Sequence, residues 1–295
     1  MIVAQCFVEF IFYSFLGWVW ESIYCTINEK KWADRGFLFG PICPIYGSCV
    51  IVVSLLFSSI PALMDPNFPL WAIFLICLVG SAIAEFGTSW VLEKRFHARW
   101  WDYSHMPLNI QGRICLPVSI AFGLAGVLIV KYLIPFVEGM HATINPIIYE
   151  ICALVMAACF GADFALTEAS LSALLKDVEK MHSEFVEKAQ ARYEKVSEGV
   201  ASIGNKVAQE KEYVEELKKE AQEKKAAREE RIREAKENLS KKHAEMLDFN
   251  QKRILESIQK FTPDKKKTQE HNNTRAELFN DLKERVKARK EKKGA

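Results

Sequence analysis

The sequence predicts an all-α fold: five transmembrane helices, N-terminus outside and C-terminus inside, followed by a long cytosolic coiled-coil tail. Three observations carry this prediction: a charge-poor first part, basic residues confined to alternate connections, and an apolar seam in the last part. Residues 1–172 hold 20 charged side chains, whereas residues 173–295 hold 56 and none of the seven tryptophans. A single soluble globule and a wholly disordered chain are both excluded.

Five apolar stretches are long enough to cross a hydrocarbon core of about 30 Å, which takes about 20 helical residues. They lie near 5–27, 41–61, 70–92, 115–136 and 147–168. The first has no basic leader and continues through Trp18 and Trp20, so we expect a retained span and not a cleaved signal peptide. Residues 1–172 are therefore predicted to form a transmembrane domain.

Basic side chains in the short connections predict the orientation. They cluster in the first and third connections, as Lys30, Lys31, Arg35, Lys94, Arg95, Arg99 and Arg113. The N-terminal residues and the second and fourth connections hold none, whereas the tail is rich in them. Because connections rich in lysine and arginine stay on the cytoplasmic side, we expect a multi-pass protein of the cytoplasmic membrane with a cytosolic tail.

The eight cysteines lie in or beside the spans and form no C-x-x-C motif. Free thiols packed as small apolar groups are favoured over disulfides, and no metal site is expected.

A shift of 64 residues superposes five charged positions of the first hairpin on the second. The pairs are Glu21 with Glu85, Glu29 with Glu93, Lys30 with Lys94, Lys31 with Arg95, and Arg35 with Arg99. One interpretation is a parallel repeat of two helical hairpins, 1–64 and 65–136, as in many transport proteins. The other is that cytosolic membrane edges often carry glutamate followed by basic residues.

Three acidic residues fall within predicted spans: Glu21, Glu85 and Asp163. A charge at mid-membrane costs about 3 kcal/mol, so each should face a partner or water. Arg35, Arg99 and Arg113 stand at the same membrane edge as candidate counter-charges. Two interpretations remain open: a polar vestibule that admits a cation or polar solute, or ion pairs that only hold the bundle together.

The third connection contains Arg99-Trp100-Trp101-Asp102-Tyr103-Ser104 and then Asn109-Ile110-Gln111-Gly112-Arg113-Ile114. Its aromatic rings suit the headgroup region. We predict that these side chains, with Arg35 of the first connection, act as charge partners or as a docking surface: Arg35, Arg99, Trp101, Asp102 and Arg113. An enzyme would use Asp102 with His97 or His105 as an acid–base pair. Since no nucleophile, metal set or cofactor motif accompanies them, no enzymatic activity and no cofactor are expected.

Three ordered motifs carry a family resemblance. They are Gly17-Trp18 with Glu21, then Arg35-Gly36-Phe37-Leu38-Phe39-Gly40-Pro41 with Pro44-Ile45-Tyr46-Gly47, and then the two segments of the third connection. Over roughly residues 7–137 the chain resembles the bacterial ABC-transporter permease family labelled type IV. The resemblance implies an integral membrane protein that serves as the translocating subunit of a transporter powered by a separate ATPase.

The sequence contains no G-x-x-x-x-G-K-[ST] motif, so P-loop binding of ATP is not expected of this chain. An ATP-driven activity would need a separate nucleotide-binding ATPase docked on the first and third connections. Five spans are few for a whole translocation path, so we also expect self-association or a hetero-complex.

Residues 173–262 are predicted to form a cytosolic coiled coil, because apolar residues recur there at alternating three- and four-residue steps. The seam comprises Val196, Val200, Ile203, Val207, Val214, Leu217, Ala221, Ile232, Ala235, Leu239, Met246 and Phe249. As one straight helix, residues 173–262 would be about 135 Å long. Gly199 and Gly204 favour a kink or a hairpin there, and a lone solvated helix is the other alternative.

Residues 263–295 are predicted to form a polar break and then a basic amphipathic helix near 274–290. Its apolar face carries Leu278, Leu282 and Val286. Such a helix suits contact with anionic lipid, and nucleic acid is not expected as a partner because acidic residues are interleaved.

Two functions from different classes follow from these patterns. The first is a permease-like subunit of a transporter of unknown substrate that depends on a separate ATPase. The alternative is a membrane-anchored structural or signalling scaffold that oligomerises through the coiled coil.

Overall fold

The computed structural model describes residues 2–30, 36–63, 65, 67–141, 144–201, 211–262 and 268–294. About 82% of it is helical, which confirms the all-α prediction. The chain forms two compact units. The first comprises residues 1–171 with 257–262, and the second comprises 172–256 with 263–295.

The helices of the first unit follow the apolar stretches of the sequence. They are α1 (Ile2–Glu29), α2 (Pro44–Ser59), a 3-10 turn (Pro61–Leu63), α3 (Leu70–Phe96), α4 (Leu116–Leu128), a π-helical turn (Ile129–Leu133), α5 (Ile134–His141) and α6 (Pro146–Ala201). Among the described residues, four continuous helical segments are long and apolar enough to span a membrane: Ile2–Ile27, Leu70–Phe96, Leu116–Met140 and Pro146–Glu187. The protein is a multi-pass membrane protein.

The second apolar stretch forms a shorter helix than the sequence predicts. The prediction was 41–61, whereas α2 has 16 residues, or about 24 Å at 1.5 Å per residue. Two prolines limit it. Pro44 stands at its first turn, and Ile60, which precedes Pro61, has extended backbone angles of −110° and 107°.

Helices α1 and α2 form one hairpin, and α3 and α4 form another. Small residues permit the close approach within each: Gly17 lies against the ring of Tyr46, and Gly126 lies against Cys77. All eight cysteines are free thiols, of which Cys43, Cys77 and Cys115 are buried. The hairpins agree with either interpretation of the 64-residue shift, so the repeat stays a prediction.

Residues 97–115, the third connection, contain three short strands: β1 (Ala98–Arg99), β2 (Asn109–Ile110) and β3 (Ile114–Cys115). Strands β2 and β3 form an antiparallel hairpin. Strand β1 pairs instead with β4 (Lys260–Phe261), so that Ala98 faces Phe261 and Arg99 faces Lys260. A short segment near the end of the tail thus belongs to the first unit.

The second unit is a bundle of the later part of α6 with α7 (Lys211–Met246), α8 (Phe249–Ser257) and α9 (Gln269–Gly294). Its buried core consists of Leu174, Val178, Met181, Leu239, Ala244, Leu247, Ile254, Leu255, Leu278, Phe279, Leu282 and Val286. Ion pairs join the helices, for example Arg275 with Glu179 at 3.1 Å and Arg285 with Glu237 at 3.2 Å.

Within the predicted coiled coil of residues 173–262, α7 ends at Met246, and α8 and β4 follow. The coiled coil itself stays a prediction. The predicted kink at Gly199 and Gly204 falls partly on residues 202–210, which lie outside the described residues. The apolar residues of the predicted last helix are buried within the chain: Leu278, Leu282 and Val286 of α9 all lie in the bundle core.

Candidate functional site

Two intramembrane glutamates each accept a hydrogen bond from a tyrosine. The hydroxyl of Tyr46 on α2 donates to Oε2 of Glu21 on α1 at 3.0 Å. The hydroxyl of Tyr103 in the third connection donates to Oε1 of Glu85 on α3 at 3.4 Å. We call these four residues the carboxylate pocket.

The members of the carboxylate pocket influence one another. Burial raises the pKa of Tyr103, and the nearby carboxylates Glu85 and Glu21 raise it further. The Tyr103 hydroxyl therefore remains a hydrogen-bond donor at any physiological pH. The thiol of Cys49, one turn beyond Tyr46 on α2, also lies close enough to interact with Glu85.

Glu85 is the most deeply enclosed carboxylate of the pocket, with 7% of its surface exposed. Its Oε2 atom is buried and has no hydrogen-bond partner in the described part of the chain. A buried polar atom without a partner costs about 1–3 kcal/mol. The site thus contains an unsatisfied acceptor beside a second carboxylate.

Two turns farther along α3, Glu93 binds two arginines. Its Oε2 lies 2.5 Å from Nε of Arg99 and 2.9 Å from Nη2 of Arg113. Arg113 also donates to the Ser89 hydroxyl at 3.3 Å, and its carbonyl accepts from the Trp101 indole at 2.9 Å. Arg99 and Arg113 therefore pair with Glu93, and not with Glu21 or Glu85.

Asp102 joins the third connection to strand β4. Its carboxylate accepts hydrogen bonds from Ser104 and, at 2.9 Å, from Nζ of Lys260. Burial acts to raise the pKa of Asp102, but the hydrogen bonds of Ser104 and Lys260 and the charge of Lys260 lower it below its usual value. Neither His97 nor His105 is among the groups bonded to Asp102.

Gly112 allows Asp102 and Ser104 to approach the hairpin turn. Its backbone angle φ is +68°, and a Cβ atom there would lie 2.5 Å from Oδ1 of Asp102. Only glycine adopts this conformation readily and leaves that space open.

Asp163 on α6 binds backbone and not a charged partner. Its two oxygens accept hydrogen bonds from the amides of Phe39 and Gly40 at 2.9 and 2.8 Å, and Thr167 adds one at 3.4 Å. A carboxylate that accepts several N–H bonds is satisfied without a cation. Asp163 thereby fixes the segment before α2 in place.

Sequence reasoning selected Glu21, Glu85, Asp163, Arg99, Trp101, Asp102 and Arg113. The structure brings Arg99 and Arg113 to Glu93, Trp101 to the Arg113 carbonyl, and Asp102 to Lys260. Sequence reasoning overlooked Tyr46, Tyr103 and Lys260 as partners of the selected residues. Glu85, Ser89 and Glu93 are spaced four residues apart, which puts all three on one face of a helix. From this spacing the sequence could have predicted a polar face on α3. Arg35, also selected, lies outside the described residues.

Comparison with known proteins gives one family. Residues 8–168 match the family described as "Putative ABC-transporter type IV", beyond the 7–137 expected from the motifs. No curated protein and no solved structure matches the chain. The matched range includes the carboxylate pocket, Glu93 with its two arginines, and Asp163. Since it spans more than half of the sequence, the chain belongs to the ABC-transporter type IV family.

Proposed function

We propose that this chain is the membrane-spanning, permease-like subunit of a transporter that depends on a separate ATPase. Family membership carries the proposal, because the matched range, residues 8–168, includes part or all of each of the four candidate spans and the carboxylates Glu21, Glu85 and Asp163. The sequence has no P-loop motif, so the ATPase would be another chain. The chain itself would have no enzymatic activity.

In this proposal α2 is a fifth span, which places the N-terminus outside and the tail in the cytosol. With only 16 residues, α2 would cross by local thinning of the bilayer. The basic first and third connections support this orientation in the cytoplasmic membrane. Fusion of a fluorescent protein and of alkaline phosphatase to residue 295 tests it: the first should be active in cells and the second inactive.

The third connection would then be the docking surface for the ATPase. Leu108 and Ile110 are exposed apolar residues there, beside the ordered strands β2 and β3. Exposed apolar groups on an ordered connection favour contact with a protein partner. Self-association through the spans would complete the translocation path.

The scaffold alternative receives less support. The apolar face of α9 is buried in the second unit, and so are Leu239 and Ala244 of α7. These residues are therefore occupied within one chain and would not pair with a second copy unless the bundle opened.

Mild cross-linking in native membranes, followed by affinity purification and mass spectrometry, tests the proposal. A nucleotide-binding ATPase should be recovered with the wild-type chain and lost with Ile110→Ser. Ile60→Ser is the matched control, because Ile60 is an exposed isoleucine in the second connection. Recovery of only this chain and unrelated soluble proteins would contradict the proposal.

A further inference from the structure

Among the residues that the structure describes, Oε2 of Glu85 has no hydrogen-bond partner, whichever protonation state the carboxyl adopts. Ionised, it is a buried acceptor without a donor; protonated, its O–H is a buried donor without an acceptor. Buried polar groups are normally satisfied, so this atom points to a group that completes the site.

The surroundings of Glu85 define the charge of that group. Within the described residues Glu85 forms no salt bridge, since Arg113 and Arg99 are engaged with Glu93. The ionisable groups that interact with it are Tyr103, Cys49 and the second carboxylate, Glu21. Tyr103 and Cys49 carry no positive charge, and Glu21 is a like charge that already accepts a hydrogen bond from Tyr46. None of these groups balances a negative charge on Glu85 itself, and a single positive charge would.

The oxygen atoms of Glu85 and Tyr103 indicate which kind of cation would bind. The Tyr103 hydroxyl donates a hydrogen bond to Glu85 and keeps its proton, so the lone pairs of its oxygen remain available to bind a cation. Carboxylate and hydroxyl oxygens are hard ligands, suited to an alkali-metal ion or to a protonated amine that donates hydrogen bonds.

We propose that the carboxylate pocket binds one monovalent cation, held by Glu85 and the hydroxyl of Tyr103, with Glu21 as the second carboxylate. A role for this cation as the substrate or the coupling ion of a permease rests on the proposed function. As a bound ligand, it is measurable on the chain alone and without transport.

Carbodiimide labelling of the full-length protein in lipid nanodiscs provides the test, because the reagent modifies protonated carboxyl groups in apolar surroundings. Labelling of Glu85 is quantified by peptide mass spectrometry at constant pH and ionic strength. Sodium, potassium and methylammonium chloride each replace N-methylglucamine chloride in turn. Saturable protection of Glu85 by sodium or potassium identifies an alkali-metal ion, and protection by methylammonium alone identifies an amine.

Removing a ligand should weaken the protection. Glu21→Gln and Tyr103→Phe should each raise the half-protecting concentration by about tenfold, as expected for loss of one charged or charge-assisted contact. Glu138→Gln is the matched control, because Glu138 is an exposed carboxyl on α5 that takes no part in the pocket. Tyr103→Phe keeps the test decisive if the Glu21 variant fails to fold.

Labelling of Glu85 that no monovalent cation alters would overturn the inference, as would protection by magnesium alone. Protection that is unchanged in both variants would also overturn it. These results leave recovery of an ATPase unaffected, so failure of the cation site and failure of the proposed function are distinguishable.

Discussion

At the scale of single residues, Glu93 stands out because one carboxylate pairs with two arginines, Arg99 and Arg113. It is 21% exposed and balances two arginines, of which Arg113 is only 8% exposed. Loss of one partner from a buried ion pair leaves a charge without compensation, which costs far more than loss of an exposed pair.

Glu93→Gln should therefore destabilise the first unit by about 3 kcal/mol. The matched control is Glu168→Gln, which makes the same chemical change in the pair of Arg95 with Glu168, 61% and 41% exposed. We expect a change within about 1 kcal/mol for the control. Denaturant titration in nanodiscs, followed by tryptophan fluorescence, compares the two. Equal losses of stability in the two variants would contradict the conclusion that Glu93 balances the charges of two arginines.

Asp102 makes the contact with strand β4 sensitive to acid. Its pKa is lowered in the folded protein, so it adds stability above the unfolded value of about 3.9, and that stability is lost as pH falls through the folded value. Hydrogen exchange of residues 257–262, corrected for intrinsic rates, should rise on acidification below about pH 4. Asp102→Asn should remove this dependence. An unchanged acid response in that variant would show that another group is responsible.

At the scale of elements, the pairing of β1 with β4 rests on backbone hydrogen bonds. The Gln259 amide donates to the Arg99 carbonyl at 2.7 Å, and the Thr262 amide donates to the His97 carbonyl at 2.8 Å. Ala98 and Ile258 are fully buried at this junction. Strands of only two residues can stay paired here because the buried side chains also stabilise the junction.

Gln259→Pro should weaken this pairing, because proline has no amide proton to donate to Arg99. The expected cost is about 1–3 kcal/mol, that of a carbonyl left without its partner. Gln259→Ala keeps the amide and serves as the control. Hydrogen exchange of residues 97–102 should increase in the proline variant alone. Similar exchange in both variants would mean that side chains, and not the amide, hold the strand.

The sequence predicted the long elements well and the short ones poorly. Apolar runs located α1, α3, α4 and α6 because a membrane span needs about 20 apolar residues in a row. Strands of two residues have no periodicity to detect, and Lys260 lies 158 residues from Asp102. The carboxylates of the candidate site could be found as costly charges in apolar helices, whereas their tyrosine partners depend on how the helices pack.

At the scale of the whole molecule, each unit buries a set of apolar side chains. The second unit buries Leu282 between helices of the tail, and the first buries Tyr13, Val50, Ile134 and Val137 together. A substitution in one core should therefore leave the other largely unaffected.

Leu282→Ala should destabilise the second unit by about 2–5 kcal/mol, the usual cost of this change in a packed core. Lys287→Ala, an exposed position on the same helix, is the control. Hydrogen exchange should increase in residues 236–246 and 275–290 of the leucine variant and stay unchanged in α3 and α4. A parallel increase in α3 would show that the two cores unfold together.

The pairing of β1 with β4 also sets an order of events during synthesis. Asp102 leaves the ribosome 158 residues before Lys260, and at about 5–20 residues per second this interval lasts about 8–30 s. Throughout it, the edge of β1 has no partner from its own chain. The third connection can therefore reach its final form only after nearly the whole polypeptide has been made, when the apolar helices of the first unit have already been synthesised.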